Sequence, residues 1–191
     1  IETMIAVSVF IVIVLSGMGA LLNANLLYQK SQNMRSIMDN LSFIMEDMSR
    51  NVRTGYHYRC YFNVNETIDP AVINVPRSCS GGWGLAFEAA PPNGNTGDNS
   101  DQWVYSIGTY YGKTGIFKST DGSATFTQLT PDIEVVIDTV ASGFSVLGAE
   151  ASPGNQQQPL VTIRLVGTIT VKNVVTPFSL QTSVSQRLLD L

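Results

Sequence analysis

Ile1-Glu2-Thr3-Met4-Ile5-Ala6-Val7-Ser8-Val9-Phe10-Ile11-Val12-Ile13-Val14-Leu15-Ser16-Gly17-Met18-Gly19-Ala20-Leu21-Leu22 opens the chain, and its reading decides the fold. After Glu2 no charge appears until Lys30. From Met4 to Leu22 the run has about the ~20 residues that a membrane-crossing helix needs. Val7, Val9, Ile11, Val12, Ile13 and Val14 are β-branched, yet in lipid every backbone group must bond internally, which favours helix regardless. A removable signal peptide would carry a basic segment before the apolar core and a small-residue cleavage site after it; neither is evident. The start at Ile instead of Met reads as processing or truncation. A single acid at the mouth of an apolar helix is costly unless a cation meets it. That cation is expected on another molecule.

The residues that follow continue the helix with a different pattern. Met34, Ile37, Met38, Leu41, Ile44, Met45, Met48 and Val52 recur at three- and four-residue steps, which makes one apolar stripe. Lys30, Arg35, Asp39, Glu46, Asp47, Arg50 and Arg53 fill other positions, and Glu46 can meet Arg50 one turn on. Gly55 after Thr54 predicts a left-handed cap. The spacing predicts one helix over 2–54, roughly 80 Å long at 1.5 Å per residue. Residues 1–25 are apolar all round; residues 26–54 are amphipathic and should pack on a head.

Beyond Thr54 the composition turns to Thr, Val, Gly, Asn and Pro. Strands are predicted at Tyr56–Val64, Trp83–Glu88, Trp103–Ile107, Gly115–Ser119, Ala124–Leu129, Glu134–Thr139, Phe144–Leu147, Leu160–Val171 and Phe178–Val184. Turn-rich stretches at 91–97, 120–122 and 152–155 separate several of them. The predicted class is α+β, a long N-terminal helix packed on an antiparallel β-rich head spanning 55–191.

These residues resemble the type IV pilin and pseudopilin superfamily. Its members open with Phe-Thr-Leu-Ile-Glu after a cleavage site, then carry an apolar and an amphipathic helix half. Ile1-Glu2-Thr3-Met4-Ile5-Ala6-Val7 matches from the Ile-Glu onward; the Phe-Thr-Leu part is absent. Phe178–Arg187 is similar to the last strand of larger pseudopilins. The resemblance implies a structural subunit of a type IV pilus-like filament, a helical homopolymer of itself. Its implied partners are a prepilin peptidase, the pilus assembly machinery and the bacterial inner membrane, which it crosses once before joining an extracellular filament. It implies that Glu2 pairs with the N-terminal amine of a neighbour, and that Ile5, Val9, Phe10, Ile13 and Leu15 lie in the filament core. Gly17 and Gly19 match a place where pilin helices open; the alternative is close helix packing through small residues. A minor pilin or a type II secretion pseudopilin that primes or caps a filament is the second reading. A third is a monomeric membrane-anchored surface domain whose Trp83, Trp103, Tyr105, Tyr110 and Tyr111 bind a ligand or, equally, fill strand cores.

Cys60 and Cys79 are the two cysteines. In a head outside the cytoplasm they suit a loop-closing disulfide of roughly 3 kcal/mol; two reduced thiols are the alternative. Residues 1–54 carry four basic and four acidic side chains, so the head's seven basic and eleven acidic ones account for the net charge of −4. That balance argues against a nucleic-acid surface. The remaining chemistry is sparse. His57 is the single histidine, so an enzyme is not expected. Gly108–Thr114 is one residue short of a phosphate loop and precedes a strand pattern, where a phosphate loop needs a helix. Asn93, Asn95, Asp98, Asn99 and Asp101 fit no EF-hand spacing and read as a solvated loop. Asn65-Glu66-Thr67 is a bare glycosylation triplet. No cofactor and no metal site are expected.

Overall fold

The computed structural model describes residues 1–63, 66–69, 71–89, 101–131, 133–150, 157–172 and 174–187. One helix, α1 (Glu2–Thr54), is followed by ten strands: β1 (Tyr56–Tyr61), β2 (Cys79–Gly82), β3 (Gly84–Glu88), β4 (Gln102–Tyr110), β5 (Lys113–Ser119), β6 (Thr127–Gln128), β7 (Val135–Ile137), β8 (Gly143–Leu147), β9 (Leu160–Val171) and β10 (Val174–Ser185). The helix has the bounds its hydrophobic pattern predicts. Its stripe is also as predicted: Ile37, Leu41, Ile44, Met45, Met48 and Val52 are buried, and Met34 and Met38 pack at the margin. Phe43, on the outer side, stays exposed. Glu46 and Arg50 approach to 3.5 Å on the exposed face, a contact worth a few tenths of a kcal/mol.

The cap differs from expectation. Gly55 is extended, with φ −76° and ψ 170°, and its N–H closes on the carbonyls of Asn51 and Val52. The glycine is required by space instead of handedness. The ring of Phe87 and the carbonyl of Glu88 stand where a β-carbon would go.

The head is built from two antiparallel sheets, where the sequence pattern predicted a sheet without dividing it. The first has the order β1-β3-β4-β5-β6 and the second β10-β9-β8-β2. β7 shares the β8 edge of β9, pairing Val135 with Ile169 while β8 pairs Gly143 with Arg164. One twelve-residue strand thereby organises β7, β8 and β10. Along β9 the odd-numbered side chains from Val161 to Ile169 turn inward, the period of two that a half-buried strand requires. They meet Phe144, Val146, Phe178 and Val184 of their own sheet, Leu85, Phe87, Tyr105 and Ile116 of the other, and the stripe of α1 in one continuous core.

A second, smaller cluster of Tyr61, Ile73, Ala86 and Val104 lies under the segment between β1 and β2. Arg77 fixes that segment: its Nη2 reaches both carboxylate oxygens of Glu66 at 2.7 Å and, with Nε, donates to the Cys60 carbonyl at 2.6 and 3.0 Å. Cys60 and Cys79 form the disulfide, with Cα atoms 5.9 Å apart. It joins β1 of the first sheet to β2 of the second. β2 is missing from the sequence-based strand set because Cys79-Ser80-Gly81-Gly82 has neither alternation nor β-branched residues. Gly82 is what lets the sheets approach there, for the Tyr61 carbonyl and Cys60 Sγ occupy the position of its β-carbon.

One other strand expectation changes, and the rejection of a phosphate loop at 108–114 stands. Ala124–Leu129 contains only the two-residue β6, because the Asp121 carboxylate folds 119–125 into a loop by accepting from Ser119 Oγ, Thr125 N–H and Thr125 Oγ1. Gly108–Thr114 is a hairpin, with Tyr111 and Gly112 at positive φ (54° and 76°) joining β4 to β5. Asn65, Asn93, Asn95, Asp98 and Asn99 lie outside the described residues.

Cys60→Ser is expected to lower the stability of the head by about 3 kcal/mol while leaving the protein in the membrane fraction. Equal thermal melting in oxidising and reducing buffer would show that the bridge contributes nothing.

Alkali is expected to unfold the head. Burial pushes the Tyr61 hydroxyl up to about 12, against the pull of the Arg59 guanidinium, and burial raises that of Tyr105 as well. Both folded values lie above the ordinary tyrosine value of about 10. Their stabilising contribution is therefore whole below pH ~10 and lost as pH rises through about 12. Tyr61→Phe should move the alkaline midpoint upward, and tyrosinate absorbance should rise together with loss of sheet circular dichroism. Ionisation of Tyr61 near pH 10 in an intact head would contradict this.

Candidate functional site

The apolar half of α1 is the feature that the head does not explain. An 18-residue window of the helix has a mean hydropathy of 2.6, and none of it is buried. Ile5, Val9, Phe10, Ile13 and Leu15 are each more than half exposed, Phe10 at 66%. They are spread round the helix instead of along one face, so no single groove of the same chain could cover them. The helix is long and apolar enough to cross a membrane.

Its two serines are satisfied internally. Ser8 Oγ donates to the Ile5 carbonyl and Ser16 Oγ to the Val12 carbonyl, both at 2.8 Å. These back-bonds pair both serine hydroxyls within the helix, as an apolar surrounding requires. Polar contacts between side chains begin only at the far end of the run, where Gln29 donates to Asn25 and Gln32 to Tyr28.

Glu2 stands in the first turn of the helix, where unsatisfied N–H groups favour an anion. It is exposed, and its carboxylate has no cationic partner among the described residues. Ile1, ahead of it, supplies no side-chain cap. Gly17 and Gly19 lie in unbroken helix, and nothing within 4 Å would meet a β-carbon at either. In this single chain they neither open the helix nor receive a neighbour.

The helix and head are locked together by more than apolar packing. Asn51 donates to the Tyr105 hydroxyl at 2.9 Å, which donates to Asp47 at 3.3 Å, and Lys118 reaches the same carboxylate at 3.3 Å. Lys118 also sits over the Trp103 ring, 4.2 Å from its centroid. The Tyr58 hydroxyl lies 2.6 Å from the carbonyls of both Val52 and Gly55 at the helix end. Sequence reading placed Tyr105 and Trp103 as strand-core aromatics or a ligand face; Tyr105 faces Lys118 across neighbouring strands, whereas its pairing with Asp47 and Asn51 spans more than fifty residues and has no local signal.

The head also holds a cleft of about 970 Å³ where the two sheets part, with Trp83, Tyr110 and Phe144 among its walls and Glu66 and Arg164 as its charged side chains. His57 lies elsewhere, with Nδ1 at 3.5 Å from the fully buried Glu88. No cluster of three metal-ligating side chains occurs among the described residues.

Comparison with protein-family models, with curated proteins and with solved structures finds no match to this chain. A long apolar N-terminal helix, an antiparallel head and one disulfide are together consistent in shape with a pilin.

Gly17→Ala and Gly19→Ala test what these residues are for. With open space around both positions, each change should stabilise the free subunit's helix by roughly 1 kcal/mol. Amide exchange in detergent micelles would read that gain. If the glycines serve an assembled state, the same variants should reduce assembly. Unchanged assembly would leave them without a role beyond the helix itself.

Proposed function

We propose that this chain is a membrane-anchored subunit of a pilus-like extracellular filament, polymerising through its apolar helix half. One observation carries the reading. A helix that is apolar on every side and wholly unburied continues without a break into a stripe seated in a folded head. A patch of that size on a water-soluble surface would associate. Lipid covers it in one state and the same segment of neighbouring copies in another. Subunits related by a heterologous contact add without closure, which generates a helix of copies.

In this reading Glu2 meets the terminal amine of the adjacent subunit, so that two charges otherwise stranded among apolar side chains neutralise each other. Ile5, Val9, Phe10, Ile13 and Leu15 fill the filament core, and the β-rich head forms its outer surface. The subunit waits in the bacterial inner membrane, is processed by a prepilin peptidase and is lifted by the assembly machinery. The disulfide suits an oxidising compartment for the head. A priming or capping subunit would use the same helix. The cleft beside Trp83 favours a second reading, a membrane-anchored head that binds a ligand as a monomer.

Glu2→Ala and Glu2→Gln decide between pairing and mere anchoring. Both variants are expected to remain in the membrane fraction while sheared filaments are lost or sharply reduced. A normal filament yield from either would remove the charge pair from the account. Protein that stays monomeric in membranes and never enters a filament would favour the ligand-binding head.

A further inference from the structure

The β9–β10 hairpin runs the length of the amphipathic helix half, and its turned end meets α1 on the apolar-half side of the buried stripe. At the open end, the Arg187 N–H donates to the Arg53 carbonyl at 2.9 Å. At the turned end, Lys172 Nζ donates to Gln29 Oε1 at 2.7 Å. Between Gln29 and Arg53 the helix rises about 36 Å at 1.5 Å per residue. A twelve-residue strand covers about 40 Å at 3.3–3.4 Å per residue. The two lengths agree, so the turn stands beside Gln29 and the rest of the hairpin climbs away from it.

That level is where a membrane surface falls. The hydrocarbon takes up about 20 helical residues, and the headgroup layer on one side adds about 5–7 Å, or four to five residues more. Counted from Met4, the layer ends close to Leu27, within roughly 3–5 Å of Gln29 along the helix axis. The side chains at that height are apolar where the outside of a head would be polar. Val174 is 39% exposed, Val175 59% and Ile133 88%. Ile133 joins them because the backbone carbonyl of Glu134, next to it, accepts the Thr170 N–H at 2.8 Å near the end of β9. On the helix, Leu26, Leu27 and Tyr28 are likewise exposed. Lys172 and Lys30 bracket this rim with cationic heads on apolar stems, suited to the phosphates of lipid. Glu134 is the opposing charge on the rim, so burial of Val174, Val175 and Ile133 leads and charge assists.

We propose that this turn is a second membrane contact: Lys172, Val174 and Val175, with Ile133 beside them, rest in the headgroup layer where α1 leaves the lipid. The inference builds on the reading that the apolar half of α1 crosses a membrane. Its partner is lipid, because Lys172 beside Gln29 sets the patch at the level where that helix leaves the apolar run. The contact seats the head upright on the bilayer and fixes its rotation about α1 before assembly.

Spin labels on single introduced cysteines test it in the full chain, reconstituted into vesicles of phosphatidylethanolamine and phosphatidylglycerol. Cys60 and Cys79 are paired, so the added thiol is the one labelled. Val175→Cys reports the turn, Ser185→Cys the far end of the same strand, and Val12→Cys the middle of the apolar run. Oxygen collides more, and a water-soluble nickel complex less, with a label in lipid. The oxygen-to-nickel ratio of Val175→Cys should exceed that of Ser185→Cys several-fold, with Val12→Cys higher still. If Val12→Cys is lipid-protected while Val175→Cys matches Ser185→Cys, the turn stands in water and the proposal fails with the span intact. A water-exposed Val12→Cys overturns the span and the turn contact with it. Dipolar broadening at Val175→Cys that vanishes on dilution with unlabelled protein would assign the turn to a second copy, and would also overturn the proposal.

Discussion

Everything in this molecule depends on one helix being continuous from an uncovered apolar half into a stripe buried in the head. The stripe Ile37–Val52 is buried beneath two sheets, while an 18-residue window of the same helix meets no part of the head. Nothing in α1 marks a joint between the halves, since the helix has no break between Glu2 and Thr54. A force on the apolar half is thus transmitted to the head through a rigid rod. The head resists it with a packed stripe, the Asp47–Tyr105–Lys118–Asn51 network and the Tyr58 hydroxyl at the helix end. Apolar packing supplies most of the holding energy. The polar contacts fix the register, because each requires one rotational setting of the helix.

The head is arranged so that its longest strands reinforce that rod. β9 and β10 run alongside α1 from Arg53 to Gln29 and pair over all twelve residues. Shorter strands then attach to β9, two of them end to end on one edge. The first sheet closes the core from the other side and is tied to the second by the Cys60–Cys79 bridge. Around that bridge Gly82 and Gly143 allow close backbone approach, the latter facing the Gly82 carbonyl. A single covalent link placed at the junction of two sheets restrains the whole head more than the same link inside one sheet would.

Much of this was legible in the sequence because it is local and periodic. The helix has strong signals of both kinds, an uncharged run and then a three-four stripe, and both its bounds and its buried face follow from them. Leu160–Val171 alternates cleanly and is read without error. β2 was not legible, since two of its four residues are glycines and its place is set by the disulfide and by β8. Gly55 was read with the right position and the wrong reason, because the ring that excludes a side chain there belongs to Phe87, far along the chain. The division into two sheets depends on which strands share an edge of β9, a long-range choice that no window of sequence contains. The uncovered segment divides in the same way. Its apolar length is written in Met4–Leu22, whereas the turn that reaches its level becomes visible only when Lys172 is found beside Gln29.

The position of Glu2 gives the clearest view of how the two halves serve one end. In a lone subunit the acid lies in the first helical turn, where the dipole favours it and solvent or headgroups reach it. Surrounded by other apolar helices, the same carboxylate would lose that hydration, at a cost of several kcal/mol unless a cation replaces it. An apolar helix without the acid would bind its copies in any axial register, since dispersion and lipid exclusion are indifferent to sliding. An acid at one end removes that freedom: each register but one leaves it unpaired in an apolar surrounding. In the proposed filament the apolar run would supply the tendency to associate, and the lone charge the spacing. A head held rigidly at the far end of the same rod would convert that spacing, in such a filament, into a fixed arrangement of outer surfaces.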